Sequence, residues 1–214
     1  MKGGMRVYYR HQESRIITVT GVGSLTVQPE IAKVLLEVVT EGWELNVIQQ
    51  ENARTVERVL AGLMQLGIPQ EDIQTTVYDI APKYDYVDGV QEFRGYVVTH
   101  GLTVKIQDIN RTGAVIDTAV QNGVNRVSNI QFTIEERDVY YRRALTDALE
   151  DAYSKAQTLA EGMQVVLAPH PIRITEKIEE PPVVFQAYSA VETATPIQPG
   201  QIVINASVKA QFVY

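Results

Sequence analysis

Residues 142–163, RRALTDALEDAYSKAQTLAEGM, place alanine at every fourth position: Ala144, Ala148, Ala152, Ala156 and Ala160. That spacing sets the five on one inclined ridge of a helix, and alanine joins high helix propensity to a side chain short enough for close approach. A neighbouring element must pack tightly on the ridge. At about 100° per residue, Tyr141, Leu145, Leu149, Leu159 and Met163 widen it into an apolar face, while Asp147, Glu150, Ser154 and Glu161 point away. The chain's own sheet is the expected partner, and a helix of another subunit is the alternative.

Around this helix the sequence reads as strands. Ile202, Ile204, Ala206, Val208, Ala210 and Phe212 alternate with polar residues, as do Tyr96, Val98, His100, Leu102, Val104 and Ile106, and Ile172, Ile174 and Ile178. One-faced burial of this kind favours antiparallel pairing. Further strands are expected over 15–27, 31–40, 73–83 and 127–135. Helices are expected to stop at Gly67-Ile68, Gly123-Val124 and Gly162-Met163, where glycine takes the left-handed cap and the next apolar side chain packs back. The expected fold is α+β, a largely antiparallel sheet backed by about three helices in the order β-β-α-β-β-α-β-α-β-β.

Two segments interrupt that regularity. KYDYVDGVQEFRGY, 83–96, holds an Asp88-Gly89 hairpin turn flanked by Tyr84, Tyr86, Phe93 and Tyr96. EEPPVVFQAYSAVETATPIQPG, 179–200, is long and proline-containing, and carries Phe185 and Tyr188. Projecting aromatics and an extended arm suit contacts with neighbouring subunits, or else the tyrosines lie on their own sheet and the arm stays disordered. Residues 1–14 read as a flexible N-terminal segment, leaving 15–214 as one domain.

The chemical inventory is sparse. No cysteine is present, which excludes thiol catalysis and disulfides, and the three histidines lack metal-ligand spacing. A formal charge of −7 without a basic patch opposes nucleic acid binding. Gly21-Val22-Gly23 lacks the third glycine and helix start of a dinucleotide loop and reads as glycine within a strand. Asn52, on the inward stripe of the first helix, either fastens that helix to the sheet or meets a ligand; His100 is either a hydrogen-bonded core histidine or a contact. Glu135-Glu136 reads as complementing a helix N-terminus, and Asp85 and Asp88 as a solvated turn. No catalytic, cofactor or metal residue is assigned. The opening, MKGGMRVYYRHQESR, has no apolar run and no stretch reaches membrane-spanning length, so the sequence as written suggests a cytoplasmic protein without membrane insertion, or an exported one if a leader has been removed.

TGVGSLTVQPE at 20–30, ENA at 51–53, LGIPQEDIQTTVYDIAPKYDY at 66–86, GYVVTHGLTVKIQD at 95–108, NGVNRVSNIQF at 122–132 and ALTDALEDAYSKAQTLAEGM at 144–163 together resemble the SIMPL-domain family, also described as YggE-like or periplasmic immunogenic proteins. Glu30 stands where the family pattern has aspartate. The resemblance implies an α+β domain, a tendency toward homo-oligomers, and an association with envelope or oxidative-stress responses. It implies no reaction and no catalytic residue. Two functions follow as expectations: a non-enzymatic, self-assembling protein, or a small-molecule or peptide-binding stress-signalling module with its pocket near Asn52 and His100.

Overall fold

A computed structural model of the chain describes residues 15–177, 184–185 and 196–214. The N-terminal segment 1–14 and Tyr188 lie outside the described residues, as does most of the 179–200 arm. The elements run β1 (Ile16–Val27), β2 (Ile31–Gly42), α1 (Leu45–Gln65), β3 (Ile73–Val87), β4 (Val90–Ile106), α2 (Thr112–Gln121), β5 (Arg126–Thr133), α3 (Arg137–Gly162), β6 (Arg173–Lys177), β7 (Val184–Phe185) and β8 (Gln201–Val213). The fold is α+β in the expected order, with the two-residue β7 added. Its strands are parted between two four-stranded sheets, β1-β8-β6 with β7 on β8, and β3-β4-β2-β5. Two compact units result: β1, α3, β6 and β8 from Val203 onward in one, and β2 to β5, α1, α2 and β7 in the other.

In the first unit the alanine ridge finds its partner. All five alanines of α3 are buried, and so are alternate residues of β1: Ile17, Val19, Gly21 and Gly23. A Cβ on Gly21 would stand 1.9 Å from the Ala148 carbonyl oxygen, and one on Gly23 would stand 2.0 Å from that of Ala144. Glycine is therefore required at both places, because the obstacle is helix backbone rather than a movable side chain. Asp151 and Lys155 fasten the same contact: Val22 N–H donates to Asp151 Oδ2 at 2.9 Å, and Lys155 Nζ donates to Thr20 O at 3.1 Å and to Asp151 at 2.6 Å. The Lys155 hydrogen bond, seconded by the Val22 N–H, holds the Asp151 carboxyl below its usual range. The apolar face is narrower than its sequence suggests. Leu159 and Met163 are exposed, since the small ridge alone comes close to β1.

The helix ends differ in one respect from expectation. Gly67 and Gly123 take left-handed φ values of 88° and 116°, with Ile68 N–H returning to Leu63 O and Val124 N–H to Ala119 O. After α3 it is Gln164, not Gly162, that turns left-handed at φ 57°, with Val165 N–H returning to Ala160 O. The same closing bonds form two residues later, on a side chain poorly suited to that conformation.

In the second unit β2 is central, antiparallel to β4 from Ala32↔Ile106 to Gly42↔Tyr96 and to β5 on its other side. Ala32, Val34, Leu36 and Val38 of β2 and Leu102, Val104 and Ile106 of β4 alternate onto one face, which α1 and α2 cover with Val56, Val59, Leu63, Val115 and Ala119. Each fully buried Val, Leu or Ile contributes about 1.5–3 kcal/mol.

Candidate functional site

β3 and β4 continue beyond the helices as a two-stranded ribbon, paired to Val87↔Val90 around Asp88 (φ 49°) and Gly89 (φ 82°). Two successive left-handed residues make the type I′ turn that matches strand twist, as the Asp-Gly pair predicts. The register shifts between Lys83 and Tyr84, opposite Gly95, whose φ of 106° and whose approach to the Gly42 carbonyl (2.5 Å from a would-be Cβ) admit only glycine.

Strand alternation then sorts the ribbon's side chains. Tyr84 lies across from Phe93, and Phe93 is the hub of an edge-to-face cluster, with ring centroids 5.7 Å from Tyr84, 5.2 Å from Tyr96 and 5.8 Å from Trp43. Such pairs contribute about 0.5–1.5 kcal/mol each beyond area burial. The opposite face is charged: Arg94 pairs with Asp85 at 3.1 Å and with Glu92 at 2.7 Å. The cluster nevertheless remains open to solvent. Tyr86 is 75% exposed and Trp43 63%, with Tyr84 and Phe93 also exposed. The ribbon thus presents rigid, amphipathic rings in one patch, with the polar atoms of Tyr84 and Tyr86 available for hydrogen bonding.

Asn52 and His100 lie elsewhere. Asn52 is 1% exposed, and its Nδ2 donates to Val38 O at 2.9 Å, Thr40 Oγ1 at 3.3 Å and Val98 O at 3.4 Å. It pins α1 to β2 and β4, while its Oδ1 is buried without a partner. His100 is half-buried beside Tyr78, rings perpendicular at 5.3 Å, with Nε2 3.1 Å from Thr75 Oγ1; burial lowers its pKa below the usual 6.5. Gln49 Nε2 donates to the Tyr78 hydroxyl at 3.0 Å. Phe185 pairs through its backbone with Gln201. Tyr84, Tyr86 and Phe93 therefore share one face of the ribbon, whereas Asn52 and His100 lie apart from it, Asn52 where α1 meets the sheet and His100 beside Tyr78 and Thr75.

Two residues of interest escape sequence reasoning. Trp43, the chain's one tryptophan, joins the cluster from the turn before α1, and its isolation just ahead of a helix was the available signal. Glu37 is buried on the β2 face away from the helices, 3.3 Å from Ser128 Oγ and 3.9 Å from Arg126. Only strand register reveals that placement. Among the described residues no three His, Asp or Glu side chains group as metal ligands, and no helix is long and apolar enough to cross a membrane.

Residues 17–212 match the family model SIMPL, described as a protein of unknown function (DUF541). The chain belongs to the SIMPL family. It is similar to the 26 kDa periplasmic immunogenic protein of Brucella abortus, 28% identical over 92% of this chain and 83% of the relative. It is similar also to the uncharacterized protein YggE of Escherichia coli, 25% identical over 72% of this chain and 62% of the relative. The Brucella melitensis counterpart, 27% identical over the same shares, bears the periplasmic name too. These names overturn the cytoplasmic expectation: a missing apolar leader in the sequence as written does not locate a chain whose relatives are named for the periplasm. Family membership carries no reaction, and nothing in the comparisons indicates catalysis.

Proposed function

We propose that this SIMPL protein is a non-enzymatic, self-assembling component of the bacterial periplasm, and that the aromatic face of the β3–β4 ribbon is its principal contact between copies. The observation that carries the reading is the solvent-facing cluster of Trp43, Tyr84, Phe93 and Tyr96 with Tyr86 beside it, large side chains held in fixed positions on paired strands. Aromatic residues of this kind dominate interface energetics because they bring much area at little entropic cost. The periplasmic names of the Brucella relatives support the compartment. An envelope or oxidative-stress role accords with assembly there.

Light scattering after size exclusion, run over a hundredfold range of concentration, tests the assembly. The full chain is expected to elute as a multimer and Tyr84→Ser with Tyr86→Ser to shift it toward monomer without loss of fold. A strictly monomeric full chain refutes the proposal.

A further inference from the structure

β5 ends the strand order of the second sheet, and its residues 129–132 form one wall of a cleft of ≈ 580 Å³; the stretch from Pro196 to Gly200 forms the other. The cleft arises from a local irregularity. Asn129 has a φ of 51°, and the pairing of β5 with β2 jumps between Lys33↔Gln131 and Leu35↔Ser128, so the strand bulges there. Ile130, Phe132 and Ile197 also pack on the core of the unit, which makes the floor apolar and fixed. Asn129, Gln131 and Gln198 add three carboxamides, and among the described residues no charged side chain lines the cleft.

This chemistry is specific in what it accepts. Carboxamides offer both donors and acceptors and so match a peptide main chain, while an uncharged lining penalises a charged guest that would lose its hydration. The volume falls in the range of about 300–1,000 Å³ typical of ligand sites. An edge strand beside an apolar floor is the arrangement in which an added extended strand gains main-chain hydrogen bonds and seats alternate side chains. The chain's sequence contains a segment of matching chemistry. Residues 181–191, PPVVFQAYSAV, bear no charge, and the chain re-enters the described structure at Pro196, where the cleft wall begins.

We infer that the β5 cleft is a peptide-binding site, and that its occupant is the uncharged segment 186–191, QAYSAV, which follows β7, of a second copy of this chain. The inference rests on the self-assembly reading for its source of peptide, but not on the aromatic ribbon. Copies would then be joined at two separate places on the second unit, the ribbon and the cleft.

The test is a titration of fluorescein-labelled QAYSAV followed by anisotropy. It uses the full chain, and a full-length variant with residues 186–191 replaced by Gly-Ser repeats so that no copy's own segment competes. Saturable binding to the Gly-Ser variant is expected, with at least about tenfold weaker apparent affinity for the full chain. Q131E combined with Q198E should weaken binding at least about tenfold while the melting temperature stays unchanged. The Gly-Ser variant should also lose mass by light scattering. No saturable binding to that variant overturns the inference, even if the full chain is multimeric, and leaves the ribbon reading intact. Equal binding of the charged peptide EAYSEV overturns the assigned chemistry. A monomeric full chain that still binds the peptide overturns the second copy as source, together with the self-assembly reading.

Discussion

Gly21→Ala is the sharpest perturbation of the fold. The added Cβ would lie 1.9 Å from Ala148 O, 2.6 Å from Ala152 N and 2.8 Å from Ala152 Cβ, whereas real Cβ contacts essentially never fall below 3.0 Å. Strand and helix would have to separate locally by roughly 1.1 Å, stretching the Val22–Asp151 and Lys155–Thr20 hydrogen bonds. Overpacking costs about 1–3 kcal/mol, and a backbone obstacle places this substitution at or above the upper end. For a chain of this length about 3 kcal/mol corresponds to a fall in melting temperature of about 6–12 °C. Trimming the ridge with Ala152→Gly should not restore stability, because the nearest obstacle is the Ala148 carbonyl. Gly162→Ala is the control: its Cβ meets nothing within 4 Å, and stability should hold or rise by up to about 1 kcal/mol. Thermal unfolding followed by circular dichroism reads all three. A Gly21→Ala protein melting within about 2 °C of the unmodified chain would refute the close packing of β1 on α3.

Three further outcomes follow from local geometry. Gln164→Gly relieves a left-handed non-glycine cap and should stabilise by about 1 kcal/mol, measured by urea denaturation. Asn52→Ala strips the sheet carbonyls Val38 O and Val98 O of a buried donor and should cost about 1–3 kcal/mol; Asn52→Asp should cost more, since a carboxylate would face those carbonyls. For His100 the folded pKa lies below the unfolded value of 6.5, so the unfolded chain binds the extra proton first. The His100 contribution is complete above that value and declines as pH falls through it, and denaturation at pH 7.5 and pH 5.5 should show a pH dependence reduced in His100→Gln.

Much of the fold was legible because the signals were periodic. Four-residue alanine spacing found α3, two-residue alternation found β4 and β8, and Asp88-Gly89 found the hairpin. The partner of the alanine ridge was written in Gly21-Val22-Gly23, yet its meaning depends on two segments more than a hundred residues apart meeting in space. Gln164 could not be foreseen, because Gly162 satisfied the local rule for a cap and the helix simply ran on. The division into two sheets was equally hidden, since alternation reveals that a strand is half-buried but not which strands share a layer. For the candidate site, Tyr84, Tyr86 and Phe93 were readable from hairpin spacing, whereas Trp43 joins only through the β2–α1 turn. Asn52 showed its inward position but not the three acceptors that occupy its amide nitrogen.

The central claim is that copies of this chain assemble through the aromatic face of the ribbon. Light scattering of the full chain beside Tyr84→Ser with Tyr86→Ser, both checked for native circular dichroism, measures it most directly. The account predicts a concentration-stable multimer that the double substitution shifts toward monomer. A full chain that stays monomeric throughout, or a multimer untouched by the substitutions, would contradict it.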